Sequence, residues 1–232
     1  MGSRNLGVIM KEEVKLVYKA GCDEIVEKKS RFIAHVFPVS NEEEAATYIE
    51  QMKKEYWDAR HNCYAYRIGI EQPVLRSSDD GEPSGTAGKP ILEVLLGQDI
   101  YNVLVVVTRY FGGTLLGTGG LIRAYTDSTK AGLLKSSIVT QKLGQKLQIT
   151  TNYNDIGKLQ YYFSSKAIDV SHTSYEELVT VTLFVPVAKV QSVTKKLTEL
   201  TAGQAVIKEM GTYYYFASDG SYVTIPVKDK VE

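Results

Sequence analysis

Two passages of this chain run a glycine-rich loop straight into an apolar helical pattern. The first is Arg76-Ser-Ser-Asp-Asp-Gly-Glu-Pro-Ser-Gly-Thr-Ala-Gly88, the second Thr108-Arg-Tyr-Phe-Gly-Gly-Thr-Leu-Leu-Gly-Thr-Gly-Gly120. Each closes on Gly-Thr-x-Gly, at 85–88 and 117–120. Free backbone N–H groups, glycine access and the positive end of a helix dipole then coincide, the combination with which a backbone holds an anion. Neither loop has the spacing of an ATPase phosphate loop or a dinucleotide fingerprint. The residues expected around such an anion are Gly85, Thr86, Gly88 and Lys89 in the first passage, and Arg109, Tyr110, Gly112, Gly113, Gly117, Thr118, Gly119, Gly120 and Arg123 in and after the second. Tyr110 and Phe111 would add a stacking surface, worth about 1–3 kcal/mol per base in single-strand binders. The competing reading is that Phe111 plugs the core and the glycines only permit tight packing.

Other residue sets point to other chemistry. Asp79, Asp80 and Glu82 with His61 are candidates for an acid–base or hard-metal site, since clustered carboxylates bind divalent cations and separate their pKa values. Asp-Asp-Gly is equally ordinary turn chemistry. Ser84 with His61 and Asp80 has the composition of a hydrolytic triad but no nucleophile-elbow pattern around the serine. His61-x-Cys63 lacks the second pair that a soft-metal site needs. His35 reads as a strand residue and His172 as part of a hairpin connection. No metal and no cofactor is expected.

The 27 basic and 27 acidic residues cancel, so no global field draws in nucleic acid or an anionic membrane, and any such binding must be local. All seven arginines precede residue 124. Their planar fork suits phosphate and carboxylate, which places a shaped anion site in the first half. No run approaches the roughly 20 apolar residues of a membrane span, residues 1–10 resemble an expression leader, and Cys22 and Cys63 are too few for a disulfide framework. A cytoplasmic address with reduced thiols follows as the expectation.

The elements that must position these residues read as follows. Strands are predicted at Val14–Tyr18, Ile25–Val39 and His61–Gly69, with a helix between the last two opened by the capping-box spacing of Ser40-Asn-Glu-Glu43. Pro90 begins a short buried helix that Gly97 ends. Ile100–Val107 is a nearly continuous apolar run containing Leu-Val-Val-Val, the pattern of a strand buried on both faces. Leu121, Ile122, Tyr125, Thr129, Leu133 and Leu134 give a longer helix that fades near Ser136. From Ile138 the pattern becomes β-α-β-β-α-β, with strands at Gln145–Thr151, Ala167–Ser174, Leu178–Val187 and Ala205–Phe216 and helices at Asp155–Lys166 and Ala188–Leu200, the ferredoxin-like order. Tyr213–Phe216 should divide between core and surface, because strand residues alternate faces. The fold class is α+β in two domains, 11–137 and 138–232.

Four blocks carry a resemblance: Lys29-Ser-Arg-Phe-Ile-Ala, Ala59-Arg-His-Asn-Cys-Tyr-Ala-Tyr, Asp79-Asp-Gly-Glu-Pro-Ser-Gly-Thr-Ala-Gly-Lys-Pro and Val107-Thr-Arg-Tyr-Phe-Gly-Gly-Thr-Leu-Leu-Gly-Thr-Gly-Gly-Leu. In this order they resemble the signature of the YigZ/YvyE and IMPACT family. The resemblance implies an IMPACT-like first domain with the second-domain fold of a small-subunit ribosomal protein, and a ferredoxin-like second domain similar to a late domain of elongation factor G. It also implies a translation context. The expected activity is non-catalytic binding of RNA, the ribosome or a translation-associated protein through the glycine-rich cleft, with no membrane partner and no DNA specificity. The alternatives are an enzyme acting on a phosphorylated or carboxylated small molecule, with His61, Asp79, Asp80 or Glu82 as acid, base or ligand, and a pure protein adaptor.

Overall fold

The computed structural model describes residues 11–227; the stretch read as a leader lies outside them. Contacts divide the chain into two compact units, one of residues 14–140 and one from Gln141 onward together with residues 11–13. The latter are tied to the second unit by Leu143 N–H on the Glu12 carbonyl at 2.7 Å and the Tyr214 hydroxyl on the Lys11 carbonyl at 3.0 Å.

In the first unit the elements are β1 (Glu13–Lys19), β2 (Gly21–Glu27), β3 (Ser30–Pro38), α1 (Glu42–Glu55), β4 (His61–Ile68), β5 (Val74–Ser78), α2 (Gly88–Gly97), β6 (Ile100–Tyr101), β7 (Val103–Tyr110) and α3 (Gly117–Lys135). Five strands form an antiparallel sheet in the order β2-β3-β7-β4-β5, and β1 pairs with β6 in parallel. The central strand β7 is buried on both faces, as its unbroken apolar run predicts. Val103, Val105 and Val107 join Phe32, Ala34, Val36, Ile91 and Tyr125 in the core that carries α2 and α3; Leu104 and Val106 meet Ala45 and Met52 of α1 on the other side. Burying such a side chain contributes about 1.5–3 kcal/mol.

Three local readings need correction. The single strand Ile25–Val39 is a hairpin, turned at Lys28 and Lys29 with φ of 45° and 67°. Two lysines give none of the Asn-Gly or Gly signals that announce such a turn. The run Ile100–Val107 breaks at Asn102 (φ 52°), whose side chain accepts the Gly69 N–H at 2.9 Å, so a polar bond to the next connection overrides apolar continuity. The cap of α1 is Asn41, accepting the Glu44 N–H at 2.8 Å while Glu44 reaches back to the Ser40 N–H, one residue later than the spacing suggested.

The second unit contains β8 (Ser137–Thr151), α4 (Tyr153–Ser165), β9 (Asp169–Tyr175), β10 (Val179–Pro186), a 3-10 turn at Val187–Lys189, α5 (Val190–Leu200), β11 (Val206–Ser218) and β12 (Ser221–Pro226). The antiparallel order β9-β10-β8-β11 is ferredoxin-like, and β12 extends it at the β11 edge. Val179, Val181, Leu183 and Val185 alternate into one core with Val193 and Leu197, as the spacing predicts. His172 lies within β9 opposite Thr182, not in a connection. Of the tyrosine run, Tyr215 and Phe216 are buried, and the Tyr215 and Tyr222 hydroxyls both donate to Asp169, at 3.1 and 3.0 Å. No helix among the described residues is long and apolar enough to cross a membrane.

Candidate functional site

The two glycine-rich loops are built differently. In the first, Asp79 turns its own carboxylate into the loop and accepts the Gly85 N–H at 2.8 Å, the Ala87 N–H at 3.0 Å and the Gly88 N–H at 2.8 Å. The loop is an anion holder, and its anion is internal. Burial alone would raise the Asp79 pKa, but the three backbone donors outweigh it and hold the carboxyl below the ordinary range. Gly88 is needed for close approach, since a Cβ there would stand 2.7 Å from the Ser78 nitrogen. Thr86 is buried with its hydroxyl on the Pro83 carbonyl, and Lys89 sits on the exposed side of α2 beside Glu93.

The second loop delivers the N-terminus of a 19-residue helix, α3, with no side-chain cap and no acidic residue in its first turn. First-turn N–H groups have no intrahelical acceptor, and Gly117, Thr118 and Gly119 are exposed. Gly117 and Thr118 line a cleft of about 370 Å³ whose other walls are Arg60, His61, Gly81, Glu82, Pro83, Arg109, Phe111, Leu115, Leu116 and Leu121. Arg123 folds back along α3, its Nη1 3.8 Å from where a Cβ of Gly119 would stand.

The cleft floor is set by strand register. Phe32, Arg109 and His61 lie side by side across β3, β7 and β4, so their side chains share the α2/α3 face. Arg109 is only 6% exposed and gives Nη1 to the equally buried Glu82. The Tyr125 hydroxyl donates to the same Glu82 oxygen at 2.9 Å, and the Cys63 thiol reaches that hydroxyl at 3.3 Å. Burial, then the neighbouring Cys63 and Glu82, pushes the Tyr125 hydroxyl far up, so it stays a donor; burial likewise raises the Cys63 thiol. The Nδ1 of His61 lies 2.7 Å from the Asp80 carbonyl, which can only accept, so Nδ1 carries the proton and Nε2 turns toward Glu82, 4.0 Å away.

Several nominated residues are spent on structure. Arg109 is neutralised by Glu82 instead of offering its charge to the cleft. Tyr110 donates its hydroxyl to Asp58 at 2.8 Å beneath Arg31, and Gly112 packs so closely that a Cβ would overlap the Lys29 backbone at 2.1 Å. Gly113, with φ of 85°, shapes the turn, and Gly120 packs on Leu116. Phe111 is 40% exposed and lines the cleft, so it does not plug the core. Asp80 accepts the Asn62 N–H at 2.7 Å and pairs with Lys53 at 3.2 Å, so Asp79, Asp80 and Glu82 point to different partners; no group of three or more His, Cys, Asp or Glu among the described residues is placed to hold a metal. His61 bonds the Asp80 backbone, and Ser84 is exposed with no bond to it among the described residues. Arg60 is the cleft residue that the loop argument missed. Its position next to His61 at the start of β4 was the available signal, because a strand end next to a register-paired Arg109 opens on the same mouth.

The chain matches the model of the Impact N-terminal domain over residues 28–133 and that of a domain of unknown function, DUF1949, over residues 149–204. It is 42% identical over 193 residues to the IMPACT family member YvyE of Bacillus subtilis, covering 83% of this chain and 89% of that protein. Against the IMPACT family member YigZ of Escherichia coli the identity is 33% over 178 residues, covering 76% and 87%. A crystal structure described as a hypothetical protein superposes with a TM-score of 0.55 at 30% identity, covering 85% of this chain and 97% of that one. With relatives this similar along most of their length, the chain belongs to the IMPACT family.

Proposed function

We propose that this protein acts by binding, in a translation context, and that it holds a phosphate of RNA at the N-terminus of α3. The observation that carries this reading is the contrast between the loops: Asp79 fills the first, whereas the first turn of α3 keeps its donors, with Arg60 across the cleft and Arg123 folded back to Gly119. Family membership and its implied link to translation support RNA, as the free molecule or within the ribosome, over other anions. Phe111 and Leu115 at the cleft add apolar surface for a base. The test is binding of a mixed-structure RNA across a salt series, wild type against Arg60→Ala/Arg123→Ala. Salt-sensitive binding that the double variant loses is expected; binding indifferent to both arginines, or none at low salt, where phosphate contacts are strongest, refutes it.

A second reading is favoured by one observation, the His61 tautomer. An imidazole whose Nδ1–H is fixed on a backbone carbonyl presents Nε2 as an acceptor, which is how a general base is oriented. Under that reading the cleft transforms a small phosphorylated or carboxylated molecule, and His61→Gln would abolish turnover while sparing binding.

A further inference from the structure

The free charge around the cleft is small and concentrated. Arg31 is spent bidentately on Glu24, Arg67 on Asp99, Lys53 on Asp80 and Arg109 on Glu82. Arg60 and Arg123 have no ion-pair partner among the described residues, and α3 adds about half a positive charge at its N-terminus. A groove that tracks a nucleic-acid backbone presents a stripe of unpaired cations. Here one unpaired arginine, Arg60, lines the cleft with the helix end, and Arg123 lies beside Gly119, outside the lining.

The cleft wall independently shows unused bonding capacity. Arg109 is 6% exposed, and its Nε has no hydrogen-bond partner. One unpaired guanidinium, Arg60, and a helix end give roughly +1.5, against about −1.5 to −2 for a phosphomonoester and −1 for each internal phosphodiester. Several converging N–H donors suit the three free oxygens of a terminal phosphate better than the two of a diester. A volume of about 370 Å³ lies at the lower end of the range for small-ligand sites, with Phe111, Leu115 and Leu116 as an apolar wall.

We propose that the cleft takes a terminal phosphomonoester carried on a flat apolar body, the end of an RNA strand or a free mononucleotide, in preference to an internal phosphodiester. This rests on the reading of the cleft as the anion site. The experiment is anisotropy of a short RNA labelled at its 3′ end, with and without a 5′-phosphate, in competition with uridine 5′-monophosphate and with uridine, on the intact chain and on Thr118→Asp. The substitution places a carboxylate in the first turn of α3, as Asp79 does for the first loop, where a helix dipole tolerates it.

The 5′-phosphate is expected to tighten binding about tenfold or more, the nucleotide to compete and uridine not to, and Thr118→Asp to remove the gain without lowering Tm. Equal affinity of nucleotide and phosphorylated RNA would identify the free nucleotide as sufficient; much tighter binding of the strand would identify the RNA end. Equal binding of the two RNAs overturns the inference while leaving RNA binding intact. A gain from the phosphate that survives Thr118→Asp overturns the location. Binding of none of the four overturns the functional reading itself.

Discussion

Replacing Asp79 with alanine tests whether the first loop is built around its own anion. The carboxylate accepts three backbone N–H groups, of which Ala87 and Gly88 belong to buried residues and Gly85 to a half-buried one. Leaving a buried donor unpaired costs about 1–3 kcal/mol, and water can reach the Gly85 amide, so the two buried donors set the expected loss at about 2–6 kcal/mol. Asp79→Asn keeps one acceptor but turns an NH₂ toward a donor, and should lose less, about 1–2 kcal/mol. Urea unfolding followed by circular dichroism gives both values. The pH dependence has a definite sign: the folded carboxyl titrates below its unfolded counterpart, so its contribution is complete above about pH 4 and fades as pH falls through the folded pKa. The gap between wild type and Asp79→Ala should therefore close in acid. An emptied loop should also take an added anion. Were sulfate to bind it with a Kd near 10 mM, 100 mM sulfate would restore about 1.4 kcal/mol to the variant beyond the general salt effect on wild type. A variant within about 0.5 kcal/mol of wild type, or one that sulfate stabilises no more than wild type, would refute the reasoning.

Other outcomes follow from the same contacts. Arg109→Met should destabilise the first unit by about 3–5 kcal/mol, because it leaves Glu82 charged and buried without its partner, whereas Arg60→Ala, at an exposed position, should fall within about 0.5 kcal/mol; parallel urea melts separate them. Tyr125→Phe removes one donor from Glu82 and one contact from Cys63, and should cost about 1–3 kcal/mol by the same measurement. Cys22 is exposed and Cys63 buried, both with thiols raised by burial first, so a thiol reagent at neutral pH should label Cys22 slowly and Cys63 only on unfolding. Two equivalent labels on the folded chain would contradict that packing.

The apolar patterns carried most of the architecture. The apolar run of β7 stated burial on both faces, because burial follows side-chain pattern directly. The Lys28–Lys29 turn was not legible, since its positive φ values are imposed by pairing of β2 with β3 and not by residue preference. The short edge strands β5 and β12 carry exposed residues and little apolar period, so they were missed. At the site, composition identified two loops able to hold an anion but could not tell that Asp79 fills one or that Glu82 neutralises Arg109. The Asp79 bonds close one loop whose backbone path the sequence does not state, and Glu82 and Arg109 are 27 positions apart, brought together when β4 pairs with both β5 and β7. Arg60 was hidden for the complementary reason. Its role comes from the neighbours that strand register gives it, not from a motif of its own.

The central claim is that the open anion site lies at the start of α3 and not in the first loop. Amide chemical-shift mapping by NMR while titrating uridine 5′-monophosphate tests it residue by residue. The account predicts saturable shifts at Gly117, Thr118, Gly119 and the Arg60–His61 amides, with Gly85, Ala87 and Gly88 unmoved behind Asp79. Shifts centred on Gly85–Gly88, or none at Gly117–Gly119, would contradict it.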